Sequence, residues 1–208
     1  MNVAYTSIVF AIVFLALLAL LHFLKPELDP SWRMISEYEI GRFGWLMRLA
    51  FFSWGASVVA LLLAIWPSLQ PIAGTIARWW FVVIAIALFG AGIWKTDPIT
   101  DLTDSVVNKL HTLCGAIVIL TFPIAAALAV RGLTRDPLWS ASQGLLIVVT
   151  ALTWIGVVSF FASISIARRR DPSAGAGGPT IRMGWPNRFM VVTYAGWIIV
   201  VAAISLRL

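Results

Sequence analysis

Residues 94–111 read WKTDPITDLTDSVVNKLH, and this polar stretch links two long apolar runs. The helices predicted on its two sides cover about residues 76–95 and 104–130. Each run is long enough to cross the hydrocarbon core of a bilayer, which takes about 20 apolar residues in a helix. The pattern therefore predicts two membrane-spanning helices joined by a polar loop at one membrane surface.

Four further apolar runs predict spans at about residues 3–24, 43–66, 138–167 and 188–206. The composition agrees, because 61% of the 208 residues are hydrophobic and only 12% are charged, against about 45–50% and about 25% in soluble domains. The mean hydropathy is +0.94. We predict an all-α fold, an integral membrane bundle of six transmembrane helices with short loops, forming a single domain over residues 1–208. The first run is expected to stay as a span, since no positive side chain precedes it and no cleavage motif follows.

The net charge of +6 indicates a membrane protein and no nucleic-acid partner, because basic residues accumulate in loops that remain cytoplasmic. The loops and helix ends after spans one, three and five hold Lys25, Arg33, Arg42, Arg48, Lys95, Lys109, Arg168, Arg169, Arg170, Arg182 and Arg188. The other side holds Arg78, Arg131, Arg135 and Arg207. This asymmetry predicts a multi-pass protein of the cell membrane with both termini extracytoplasmic.

The polar stretch carries a set of side chains at helical spacing. Asp97, Asp101, Asp104, Asn108 and His111 are four, three, four and three residues apart, which places them on one face of a helix. Ionisable groups at the edge of a membrane bundle favour a functional site.

Helix capping explains part of this pattern. Asp97 and Asp104 stand at expected helix starts, and Asp29 before Pro30 predicts a short interfacial helix. In the first loop, Ser36 and Glu39 have the spacing of a capping box. Capping leaves three further groups unexplained, and with Asp97 they form the candidate catalytic set: Asp97, Glu37, His111 and Asp101.

The leading hypothesis is a membrane-embedded enzyme that acts on an isoprenoid or other lipid by acid-initiated cyclisation or isomerisation, as a terpene cyclase does. A carboxylic acid kept protonated by a low dielectric is able to donate a proton at neutral pH. Asp97 or Glu37 is the predicted acid, and His111 is predicted to orient or re-protonate it. Aromatic faces stabilise the resulting cation. The predicted substrate-binding residues are Trp94, Trp45, Phe43, Arg42, Lys95, His22 and Tyr38.

Three alternatives stay open. A metal-dependent lipid hydrolase would use His22 and His111 with Asp97 or Asp101 as a zinc site. A diphosphate site would hold Mg²⁺ on the three aspartates, with basic residues facing the phosphate: Lys25, Arg33, Arg42 and Lys95. A lipid-binding or transport protein would use the same groups as a polar gate. The leading hypothesis needs no cofactor, whereas the alternatives leave Mg²⁺ or Zn²⁺ open.

The enzyme hypothesis and the transporter hypothesis predict different interiors for the helix bundle. An enzyme predicts a closed-ended pocket beneath Asp97 and His111, and a transporter predicts polar residues that continue to the other side. The last two spans carry almost no charge within them, which favours the closed pocket.

The sequence ISEYEIGRFGWLMRLAF at residues 35–51, and WKTDP at residues 94–98 followed by His111, resemble the DUF998 family of small multi-pass membrane proteins of bacteria and archaea. The resemblance spans roughly residues 15–205 and depends on three patches, residues 22–29, 36–45 and 95–111. It implies the membrane fold and the choice of these patches, and it implies no particular reaction.

Overall fold

The computed structural model describes residues 2–101, 105–171 and 178–208. In this part of the chain the fold is all-helical. The α-helices are α1 (Val3–Leu24), α2 (Gly44–Ile65), α3 (Ile72–Ile93), α4 (Val106–Leu133), α5 (Pro137–Ser140), α6 (Gln143–Arg170) and α7 (Gly184–Ser205), and a 3₁₀ helix covers Ile35–Glu39. Six of the described helices, all except α5, are long and apolar enough to cross a membrane. The predicted all-α bundle of six spans is confirmed.

Helix ends differ from the prediction mainly at prolines. Both α3 and α7 begin four residues before their predicted starts. Pro71 directly precedes α3, and Pro186 lies in the first turn of α7, where backbone N–H groups have no partner within the helix. The earlier start of α7 places Arg188 inside a helix rather than at its beginning.

The predicted fifth span is divided into α5 and α6. The Asp136 side chain accepts a hydrogen bond from the Leu138 N–H and Pro137 is the first helical residue, so a separate short helix forms before α6. The α6 helix then continues to Arg170, three residues beyond its predicted end. The α4 helix begins at Val106 with Ser105 as its N-cap. Asp104, its predicted first residue, lies outside the described residues.

Two predicted helix starts in the first loop are wrong. Asp29 does not begin a helix, because its side chain accepts from the Ser31 N–H at 2.8 Å and its carbonyl accepts from the Arg33 N–H at 3.0 Å, which makes one turn only. Ser36 and Glu39 do not form a capping box. The Met34 N–H is instead bound by Glu37, and the segment folds as a 3₁₀ helix.

The long helices pack as a ring in the order α1, α2, α3, α4, α6 and α7, and α7 also contacts α2 across the bundle. Glycines in α3 permit close approach of the neighbouring helices α4 and α2. A Cβ atom on Gly90 would lie 2.7 Å from the Cys114 Sγ of α4, and one on Gly92 would lie 2.7 Å from the Phe52 ring of α2.

A cluster of four buried aromatic side chains, the aromatic floor, fills the middle of the bundle. It consists of Phe81, Phe122, Tyr194 and Trp197. The Phe122 and Tyr194 rings stack with centroids 4.4 Å apart, and the Phe81 and Trp197 rings stack at 5.4 Å. Both polar tips are satisfied, since the Tyr194 hydroxyl donates to the Ile119 carbonyl at 2.8 Å and the Trp197 N–H donates to Thr150 at 2.9 Å. Interdigitated rings of this kind leave little room for water.

Candidate functional site

The first loop and the α3–α4 loop meet over one end of the bundle, and buried Glu37 joins them. Its Oε1 accepts from the Arg33 guanidinium at 2.5 Å and from the Ile99 N–H at 3.0 Å. Its Oε2 accepts from the Met34 N–H at 3.1 Å. Glu37 therefore holds two loops that are separated by 62 positions in the sequence.

Glu39 and His111 form a buried pair beneath these loops. The Glu39 Oε2 accepts from the Thr96 N–H at 3.1 Å and lies 3.6 Å from the His111 Nδ1. That Nδ1 donates to the Trp94 carbonyl at 2.7 Å. Glu39 is 3% exposed and His111 is 6% exposed. Glu39 thus binds a loop 57 residues away instead of capping its own turn.

The second carboxylate oxygen of Glu39, Oε1, is buried and has no hydrogen-bond partner among the described residues. Burial raises the pKa of Glu39 to about 7, against the opposing effect of the Thr96 N–H. A carboxyl in such a position exchanges its proton near neutral pH.

Asp97 closes the α3–α4 loop onto the start of α4. Its Oδ2 accepts from the Ser105 N–H at 2.9 Å, and hydrogen bonds from Ser105 lower the pKa of Asp97. The Asn108 Oδ1 in turn accepts from the Asp97 N–H at 3.0 Å and from the Thr96 hydroxyl at 3.1 Å. The Asp97 side chain is half-buried and does not line the cavity described below.

Arg188 of α7 is a second buried residue with several partners, whereas the sequence analysis counts it only in the charge asymmetry. Its Nε donates to the His22 Nε2 at 2.7 Å and its Nη2 donates to the Tyr38 hydroxyl at 2.9 Å. Its Nη1 donates to the Arg33 and Gly184 carbonyls. Because the His22 Nδ1 donates to the Leu18 carbonyl at 2.7 Å, the His22 ring is neutral, with one donor and one acceptor. His22 and Tyr38 therefore anchor Arg188 and do not line the cavity.

A cavity of about 570 Å³ lies under the 3₁₀ helix, between α2, α3, α4, α6 and α7. Its polar end is lined by Ser36, Glu37, Thr96, Asp101, Asn108, His111, Thr112 and Asn187. Its apolar part is lined by large side chains that include Phe51, Trp54, Phe160, Phe161, Met190 and Tyr194. Along α4 the lining runs from Asn108 to Leu120, roughly 18 Å at 1.5 Å per residue.

Exposed lining residues on α4 and α6 indicate an opening between these two helices. Thr112, Leu120 and Phe161 line it and are also on the outer surface, with Leu120 51% and Phe161 40% exposed. At its inner end the cavity stops at Tyr194, which belongs to the aromatic floor. The geometry suits a molecule with one polar end and an apolar body.

The structure brings three of the four predicted catalytic residues to this cavity, namely Glu37, Asp101 and His111. The predicted aromatic and basic residues lie elsewhere. Trp45 is 64% exposed on the outside of α2, and Lys95 is exposed on a loop. The Arg42 guanidinium lies over the Phe43 ring, 4.7 Å from its centroid, so these two predicted residues contact each other. Trp94 contributes its carbonyl to the hydrogen bond with His111.

The sequence reasoning missed the aromatic residues that do line the cavity. Phe51, Trp54 and Phe160 lie inside uninterrupted apolar runs. In such runs nothing in the sequence distinguishes the face toward a cavity from the face toward lipid.

The described side chains do not assemble the zinc set, because His22 binds Arg188 and His111 binds the Trp94 carbonyl. Of the three aspartates in the diphosphate alternative, Asp104 lies outside the described residues. Within the described ranges, no group of three or more His, Cys, Asp or Glu residues is placed to hold a metal ion. Lys25 donates to the Tyr38 carbonyl at 3.2 Å and to the Ile40 carbonyl, and its burial lowers its pKa. Arg33 is paired with Glu37. Neither of these cations faces the cavity.

The fold and the site together define a multi-pass membrane protein with an internal cavity that is polar at one end and apolar along its body. The chain belongs to the DUF998 family, because the family model described as "Protein of unknown function (DUF998)" matches residues 8–204, nearly the whole chain. This confirms the resemblance noted in the sequence. No curated protein and no solved structure matches the chain.

Proposed function

We propose that this protein is a membrane-embedded enzyme that takes an isoprenoid or other lipid from the bilayer into the cavity and transfers a proton to or from it. The buried Glu39–His111 pair carries the proposal. His111 lines the cavity, and Glu39 stands behind it with its Oε2 3.6 Å from the His111 Nδ1. A carboxyl that titrates near neutral pH, next to an imidazole, is a proton store beside the bound molecule.

The proposed proton donor differs from the two acids favoured by the sequence. Glu37 uses both of its oxygens as acceptors of three hydrogen bonds, one of them from the Arg33 guanidinium, so its carboxyl is engaged in holding the two loops together. Asp97 lies off the cavity, and its hydrogen bonds with Ser105 favour the ionised form. Glu39 has the raised pKa that an acid needs. In this scheme the Glu39–His111 pair holds one proton to give: with Glu39 ionised, the His111 imidazolium transfers the proton of its Nε2 to the substrate, while its Nδ1–H stays on the Trp94 carbonyl.

The rest of the lining supports acid-initiated cyclisation or isomerisation of an isoprenoid chain as the reaction. Protonation of a double bond leaves a carbocation, which needs a water-poor pocket and aromatic faces around it. Phe51, Trp54 and Tyr194 line the cavity. A cation over an aromatic ring is stabilised by ~0.5–2 kcal/mol. The proton returns to His111 when the product double bond forms.

The test is turnover of a panel of polyprenyl substrates by the protein in proteoliposomes made with D₂O, with products analysed by mass spectrometry. A product that carries deuterium on a chain carbon is expected from the wild-type protein. Glu39→Gln and His111→Ala are expected to reduce turnover by about 100-fold or more, in the range of a lost general acid or base. Asp97→Asn is expected to reduce it less than about tenfold, because that carboxylate does not face the cavity.

Glu27→Gln is the matched control, since Glu27 is an exposed carboxylate of the same first loop, and we expect wild-type turnover from it. Full activity in both Glu39→Gln and His111→Ala would contradict the proposal. Retention of polyprenyl lipid by the wild-type protein without any turnover would favour a lipid-binding protein instead. The lateral opening between α4 and α6 is the observation that supports this second candidate.

We also propose that the protein spans the cell membrane with both termini extracytoplasmic. The ends of α1, α3 and α6 and the starts of α2, α4 and α7 lie at the end of the bundle that carries the site. Most of the basic residues, including exposed Arg168, Arg169 and Arg170, are at this end. The excess of positive charge favours the cytoplasm for it.

A further inference from the structure

We infer that the cavity selects lipids whose polar end donates hydrogen bonds, a hydroxyl or an ammonium group, and rejects lipids that end in a phosphate or carboxylate. The inference rests on the proposed function in one respect only, that the cavity holds a lipid. It adds the chemical class of that lipid.

The Asp and Glu residues that line the polar end of the cavity have no lysine or arginine beside them on the described lining. Two carboxylates, Glu37 and Asp101, line this end together with the amide side chains of Asn108 and Asn187. No described residue of the lining is a lysine or an arginine. The two amide oxygens already accept from the Asp97 and Ile35 N–H groups, and Arg33 pairs with Glu37 from outside the lining. The lining therefore offers a bound head group carboxylates and no basic side chain.

The buried or half-buried basic residues near this end donate to the protein itself. Lys25 donates to the Tyr38 and Ile40 carbonyls, and Arg33 donates to Glu37. Arg188 donates to His22, to Tyr38 and to backbone carbonyls. To reach a ligand, each of these cations would have to leave buried acceptors without partners, which is unfavourable.

Arg48, which lies nearer the surface, also donates its hydrogen bonds to carbonyls of the protein. Its Nε donates to the Gly92 carbonyl at 2.8 Å and its Nη2 donates to the Ile93 carbonyl at 3.4 Å, so the guanidinium covers the end of α3. It does not line the cavity either.

Anionic head groups and hydrogen-bond-donating head groups are expected to bind the polar end of the cavity with different affinities. An anionic head would stand beside like charges with little water to screen it, and juxtaposed like charges oppose binding. A hydroxyl or ammonium would form charge-assisted hydrogen bonds to the same carboxylates. The expected discrimination is about tenfold or more in affinity.

The experiment uses four probes with the same fifteen-carbon isoprenoid tail: farnesol, farnesylamine, farnesyl phosphate and farnesoic acid. Each competes with radiolabelled farnesol for the full-length protein in nanodiscs at pH 7.5, after correction for partition into protein-free nanodiscs. Farnesol and farnesylamine are expected to displace the label at concentrations about tenfold or more below those of the two anions. Their order relative to each other tells whether a neutral or a cationic donor is preferred.

Reversal of the charge at position 101 of the cavity lining tests the cause of the selectivity. Asp101→Lys places a cation on the lining and is expected to raise the affinity for farnesyl phosphate relative to farnesol by about tenfold. Glu27→Lys makes the same change of charge at an exposed position outside the lining and is expected to leave the wild-type order intact.

The outcomes separate the two proposals. Binding of the two anions to the wild-type protein as tightly as farnesol would overturn the selectivity and leave the lipid cavity standing. An unchanged probe order in Asp101→Lys would also overturn it, because the negative lining would then not be the cause. Failure of all four probes to bind the wild-type protein would overturn the proposed lipid function, and the selectivity with it.

Discussion

Glu39 links the stability of the bundle to pH. Burial raises its pKa from 4.5 to about 7, so between these values the folded protein holds a proton that the unfolded chain releases. The contribution of this group to stability is complete below about pH 4.5 and is lost as the pH rises through 7. One pKa unit corresponds to 1.36 kcal/mol, which gives an upper bound of roughly 3 kcal/mol.

We therefore expect the unfolding temperature of the wild-type protein in nanodiscs to fall between pH 5 and pH 8. Glu39→Gln, which cannot ionise, should remove most of that slope, and Glu27→Gln should keep it. Differential scanning fluorimetry over this range measures the effect. A wild-type unfolding temperature that rises or stays level would contradict the raised pKa.

Single residues also show where inference from sequence reaches its limit. Glu37, Asp101 and His111 were placed in the candidate set because charge near long apolar runs is costly and therefore informative. Glu39 was assigned to a capping box because its spacing from Ser36 matched one. Its actual partner, the Thr96 N–H, lies 57 residues away, and no local pattern identifies a contact of that separation.

Among the helices, α7 is joined to α1 and to the first loop by Arg188, in addition to the bonds of Asn187 with the Ile35 N–H and of the Gly184 N–H with the Ser31 carbonyl. Arg188 joins His22 of α1, Tyr38 of the 3₁₀ helix and the Arg33 carbonyl. All of these acceptors are then satisfied by a single guanidinium. Removal of such a side chain destabilises a protein more through the buried acceptors left unpaired than through the hydrogen bonds that are lost.

Arg188→Met is expected to destabilise the protein by on the order of 3 kcal/mol, because it leaves several buried acceptors unpaired. The measurement is thermal or denaturant unfolding in a mild detergent. Arg182→Met, at an exposed position before the same helix, is the matched control and should stay within about 0.5 kcal/mol of wild type. Equal stability of the two variants would argue against Arg188 as the connection.

The existence of the six spans was predictable because the bilayer sets a minimum length for an apolar helix. Their ends were less predictable. Pro186 was taken as part of a loop, yet proline is tolerated in the first turn of a helix, and α7 begins at Gly184. Because the predicted span starts one turn later, at residue 188, the sequence does not predict that Arg188 is buried inside the bundle.

For the whole molecule, the charge asymmetry predicts which end faces the cytoplasm. Cys114 is the only cysteine and is buried, so a Cys114→Ser background permits single-cysteine labelling. Arg207→Cys, near the end of the chain, is expected to react with a membrane-impermeant maleimide on intact cells. Glu27→Cys, in the first loop, should react only after permeabilisation. The opposite pattern of labelling would reverse the orientation.

The aromatic floor determines whether a lipid in the cavity could pass through the bundle to the other side of the bilayer. Phe81, Phe122, Tyr194 and Trp197 close the bundle below the cavity, and the described opening is lateral, between α4 and α6. A lipid that enters there meets stacked rings in place of a path onward, so it leaves by the way it came. With the function proposed above, uptake and release of the lipid would both take place in one leaflet of the bilayer.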